Sequence, residues 1–123
     1  MMRLSQLYRM SDDFLGRVLD KSEMSPSVIA FQAMMGISRS IRLVKEHLNN
    51  AFLSKEKDQF FKCIDALEEE CDEAIYHIDL LRQDDKRKYM DLINEGEELL
   101  SHYVIAYNML IEKCIKTKYK DSQ

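Results

Sequence analysis

The sequence predicts an all-α protein, an up-and-down antiparallel four-helix bundle, and three observations carry that expectation. Phe60, Ile64, Leu67, Cys71, Ala74, Ile78 and Leu81 are spaced alternately by four and three, an unbroken heptad seam along one side of a helix. Only 3 Gly and 1 Pro occur in 123 residues, so the residues that punctuate turns and break helices are scarce. No period-2 run of Val, Ile and Thr argues for a strand. The length fits one domain with a single core, residues 1–123.

The first helix is expected over about residues 4–19. Leu4, Leu7, Phe14 and Val18 share one side, with Tyr8, Leu15 and Leu19 beside them; Ser11, Asp12 and Asp13 interrupt the pattern. Ser25 followed by Pro26 is a start signal, because serine caps and proline suits the first helical position. The second helix then runs over 26–53 with Ala30, Met34, Ile37, Ile41, Val44, Leu48 and Ala51 as its seam, widened by Phe31, Met35 and Phe52. Ser54 is a candidate N-cap for the third helix, 55–83, and Asp84 or Asp85 for the fourth, 86–116. The fourth seam is Tyr89, Ile93, Gly96, Leu100, Tyr103, Tyr107, Leu110 and Cys114, with Gly96 expected to admit a bulky neighbour. Residues 117–123 read as a frayed basic tail.

Short loops force consecutive long helices to run antiparallel. Phe61, Ile75 and Leu80 on the third helix, with Leu92 and Leu99 on the fourth, exceed what one core needs and are candidate subunit-interface residues. A homo-oligomer is the expectation.

The net charge of −4 argues against a general nucleic-acid binder while leaving room for a local basic patch. The start lacks the apolar run of a signal peptide, and no stretch approaches the length of a membrane span. The 3 cysteines lack Cys-x-x-Cys spacing and read as reduced thiols of a cytoplasmic protein, with Cys71 a small core residue.

Two Glu-x-x-x-His pairs, Glu73 with His77 and Glu98 with His102, place carboxylate and imidazole one turn apart. A di-iron bundle uses Glu-x-x-His with further carboxylates on the seam, so both pairs are expected to be surface pairs, with no metal or other cofactor. Residues 56–83 carry Lys57, Lys62 and Arg82 against nine acids, a net of −6. The acidic run of Glu68, Glu69, Glu70, Asp72 and Glu73 is either a solvated face or an electrostatic docking face. Arg39, Arg42 and Lys45, with Lys113, Lys116, Lys118 and Lys120, are the candidates for contact with nucleic acid or a partner. No Gly-rich phosphate loop and no Ser/His/Asp or Cys/His arrangement points to an enzyme.

The segment Glu70-Cys71-Asp72-Glu73-Ala74-Ile75-Tyr76-His77-Ile78-Asp79-Leu80-Leu81 is similar to the third helix of the bacterial four helix bundle protein family, first noticed in intervening sequences of large-subunit ribosomal RNA genes. Phe60 stands where that family has a phenylalanine, and Leu92-Ile93-Asn94-Glu95-Gly96-Glu97-Glu98-Leu99-Leu100 resembles its last helix. In the family's Ser-Ile-x-x-Asn-Ile-x-Glu motif, Ser40 and Ile41 match, whereas Val44 and His47 replace the asparagine and glutamate. The resemblance implies a four-helix subunit assembled as a pentameric ring. Relatives of this kind include the accessory variability determinants of diversity-generating retroelements, which bind reverse transcriptase and nucleic acid. A non-enzymatic, oligomeric adaptor is the function it implies; the alternative is a purely structural homo-oligomer that binds no nucleic acid.

Overall fold

Alternating apolar residues at helical spacing, almost free of glycine and proline, leave the chain one economical solution, in which each helix turns its apolar stripe toward the others. The computed structural model describes residues 2–24 and 27–118. They form α1 (Leu4–Ser22), α2 (Val28–Leu53), α3 (Lys57–Asp85) and α4 (Met90–Lys113), followed by a π-helical turn at Cys114–Lys118. No strand occurs among the described residues.

Cross-helix pairs fix the antiparallel order. Ser11 meets Tyr103 and Arg17 meets Glu95, so numbers rise along α1 as they fall along α4. Lys45 reaches Asp12 between α2 and α1, and Arg82 reaches Glu97 between α3 and α4. Ser27 donates to Asp84 Oδ1 at 2.9 Å, tying the start of α2 to the end of α3.

α2 and α3 are the most closely packed pair. Ala33, Gly36 and Ser40 recur on one side of α2, and Cys71 and Ala74 lie on α3, so small side chains let the two backbones approach. The His77 ring occupies the space that a Cβ on Gly36 would need.

All seven residues of the α3 seam are buried, as are all seven of α2, from Ala30 to Ala51. Each large aliphatic or aromatic side chain so enclosed stabilises the fold by about 1.5–3 kcal/mol relative to exposure. The main core spans all four helices, and a second cluster of Ala51, Phe60, Cys63, Ile64 and Cys114 closes the end where α2 finishes and α3 begins. Gly96 sits against Ile78 and Phe14, which explains a glycine on a seam position.

Several local expectations need correction. The interruption of the apolar pattern at Ser11 does not disturb α1, which runs past the expected end at residue 19 to Ser22. Ser11 is fully buried, donates its proton to Leu7 O at 3.0 Å, and lies 2.5 Å from the Tyr103 hydroxyl. Since serine has one hydroxyl proton, Tyr103 is the donor of the second bond. Ser25 and Pro26 lie outside the described residues; Ser27 caps α2, accepting from the Ala30 N–H at 3.1 Å. Ser54 ends α2 rather than starting α3, with its hydroxyl donating to Glu56 O at 3.1 Å. Asp85 accepts from the Lys88 N–H in the turn before α4, whose N-cap is Tyr89.

Candidate functional site

The basic candidates among the described residues do not converge on one patch. Arg39 is exposed in the middle of α2. Arg42, one turn on, donates to the Ser38 carbonyl and hydroxyl at 3.3 and 3.2 Å. Lys45 is held by Asp12 at 2.9 Å, with its ammonium 5.8 Å from the centre of the Tyr8 ring. Lys113 and Phe52 line one apolar groove of about 270 Å³ with Leu4, Ala106, Met109 and Leu110, at the end of α2. Arg39 is roughly 20 Å along the helix axis from that end. Lys116 is bonded to Glu112 at 2.8 Å, and that bond lowers the Glu112 pKa. The Lys118 side chain and Lys120 lie outside the described residues.

The five interface candidates also separate. Leu92 and Leu99 are buried in the chain's own core, because α4 packs against both α1 and α3 and needs a wider stripe than a single seam. Leu80 packs partly against that core, and Phe61 against the end cluster. Ile75 alone of the five is exposed, at 46%.

Around Ile75 the structure assembles a face that seam spacing did not reveal. Ile75 lines a groove of about 470 Å³ between α3 and α4 with Glu97, Leu100, Ser101, Val104 and Ile105. Val104 and Ile105 lie off the α4 seam and are 36% and 50% exposed. Further along α4, burial and then the nearby Glu68, Cys71 and Asp72 raise the Tyr107 pKa. At the other end Arg82 bridges Asp79 and Glu97, reaching Glu97 at 2.8 Å.

The charge of the two helices that form this face was readable from sequence. Residues 63–81 and 89–112, most of α3 and α4, hold 12 carboxylates and no lysine or arginine. All 18 cations share the remainder of the chain with 10 carboxylates, a net of +8 there against −12 on the two stretches. Among the described residues the carboxylates of 65–73 form none of the ion pairs seen elsewhere on the surface.

Neither Glu-x-x-x-His pair gathers further ligands. Glu98 and His102 approach to 3.8 Å, while His77 Nδ1 pairs with the Glu73 backbone carbonyl at 2.8 Å. Among the described residues no three His, Cys, Asp or Glu side chains are placed to hold a metal ion. Burial, reinforced by Asp72, Glu68 and Glu70, pushes the Cys71 thiol up to about 12, well away from a reactive thiolate. No described helix is long and apolar enough to cross a membrane.

Comparison with family models, curated proteins and solved structures gives no match. The functional reading therefore stands on the geometry and charge of the bundle surface.

Proposed function

We propose that this chain is a non-catalytic, oligomeric adaptor that holds a protein or nucleic-acid partner on the outside of its bundle. The observation that carries this reading is the division of the surface. An acidic α3–α4 face with exposed apolar side chains stands against a remainder that is net positive. Such a division favours oriented association over indiscriminate contact. The interior favours the same reading, since its thiol at Cys71 and phenol at Tyr103 are enclosed and held neutral by burial.

The family resemblance makes a reverse transcriptase, with its nucleic acid, the most concrete partner. Direct nucleic-acid contact falls to Arg39, Arg42 and the lysines after residue 112, and is weak and salt-sensitive. Fluorescence polarisation with labelled single- and double-stranded RNA across salt concentrations tests this part. Absence of binding at low salt removes nucleic acid from the proposal and leaves a protein partner.

A second reading, a structural homo-oligomer with no other partner, is favoured by apolar side chains exposed at the two ends of α2. Val28, Ile29 and Phe31 lie at its start, and Phe52 and Leu53 at its finish. Light scattering that finds a monomer contradicts both readings. An oligomer that binds neither RNA nor any protein ligand favours the second.

A further inference from the structure

We propose that the groove between α3 and α4 is a docking surface for a basic amphipathic helix of a partner protein. This rests on the adaptor reading and names the face used and the chemistry it recognises. The apolar contacts come from Ile75, Leu100, Val104 and Ile105, which line the groove with Glu97. A furrow between two antiparallel helices takes a third helix by the packing that built the bundle, with anchors at i, i+3, i+4 and i+7. No strand is present among the described residues to offer an edge to an extended peptide.

The charge of the occupant follows from what flanks the groove. Asp72 and Glu68 precede Ile75 by three and seven residues on the same side of α3, and both are exposed. No lysine or arginine occurs in 63–81 or 89–112, so cations on the partner's flanks meet no like charge from either stretch. Arg82, tied to Asp79 and Glu97, closes one end. From Glu97 to Ile105 the groove runs about 12 Å along α4, which suits about two turns of helix.

A second copy of the chain offers no such helix among its described residues. The exposed large apolar side chains of α2 cluster at its ends, while Arg39 and Arg42 lie mid-helix, and Leu19 is the only one on α1. Lys45 and Arg17, one cation on each of those helices, are already paired with Asp12 and Glu95.

The test uses the full chain and a fluorescent amphipathic peptide of about 15 leucine and lysine residues, beside a leucine–glutamate peptide of the same pattern. The lysine peptide binds and the glutamate peptide does not, and binding weakens at least about tenfold as salt is raised. Ile75→Gln with Val104→Gln, both at exposed positions, weakens binding at least about tenfold with unchanged circular dichroism, while Arg39→Gln with Arg42→Gln has no effect. Glu68→Gln with Asp72→Asn, both at exposed positions, weakens binding and flattens its salt dependence. Wild-type affinity in the Ile75/Val104 variant overturns the groove but leaves an adaptor that binds basic helices elsewhere. Failure of the wild-type chain to bind the lysine peptide overturns the groove; the adaptor reading is judged separately by molar mass and RNA polarisation. If the same variant dissociates an oligomer into monomers, a second copy covers the groove and the proposal is overturned.

Discussion

The imidazole of His77 lies across Gly36, so a side chain on α3 fills the space left by a missing one on α2. The ring is held there by its Nδ1 contact with the Glu73 carbonyl, one turn back on its own helix. Close approach of α2 and α3 depends on this pair as well as on the alanines beside it.

Gly36→Ala is therefore expected to destabilise the protein by about 1 kcal/mol, overlap with the ring outweighing the gain in helix propensity. In a His77→Ala background the same change stabilises by about 0.5–1 kcal/mol, because propensity alone remains. Urea denaturation of the four proteins in this cycle checks the reversal of sign.

The buried Ser11–Tyr103 bond is asymmetric. Tyr103→Phe leaves Ser11 bonded to Leu7 O and costs about 0.5–1.5 kcal/mol. Ser11→Ala strands a phenol proton in the core and costs about 1–3 kcal/mol, and the double variant is less damaged than the sum. Thermal or urea unfolding reads all three.

Two glycines separate by what surrounds them. Nothing lies within 4 Å of a Cβ placed on Gly16, whereas one on Gly96 meets Ile78 Cδ1 at 3.0 Å and Phe14 Cζ at 3.2 Å. Gly16→Ala is expected to stabilise by about 0.5–1 kcal/mol through helix propensity. Gly96→Ala is expected to destabilise by about 1 kcal/mol, because both neighbours are locked in the core. Their urea midpoints should move in opposite directions.

Alkaline pH should unfold the bundle early. Burial raises Cys71 from 9.0 to about 12 and Tyr8 from 10.0 to about 12. Above the ordinary thiol value the unfolded chain holds fewer protons than the folded one, so stability falls as pH rises. The stabilisation is complete below pH 9.0 and is lost by about 12. For Cys71 the slope approaches about 1.4 kcal/mol per pH unit. Urea midpoints measured from about pH 8 to 11 should fall for the wild type and fall less steeply for Cys71→Ala; parallel slopes contradict the assignment.

Sequence spacing located the interior of α2 and α3 because a seam is a local pattern, written at fixed intervals on one helix. Partners are not local. Ser11 reads as an interruption of the apolar pattern until Tyr103, from the far end of the chain, supplies its donor. Leu92 and Leu99 read as surplus because their spacing does not say that α4 packs against two helices. His77 reads as half of a surface pair until Gly36 is seen beneath it. Of the α3–α4 face, the absence of cations was readable throughout; that Ile75 and Val104 line one groove required the helices to be placed side by side.

The most direct test is a methyl NMR titration of the full chain with the leucine–lysine peptide. The methyls of Ile75, Val104 and Ile105 should shift together while those of Val28 and Ile29, exposed at the start of α2, stay in place. Shifts confined to Val28 and Ile29, with Ile75 and Val104 unmoved, would contradict a partner held between α3 and α4.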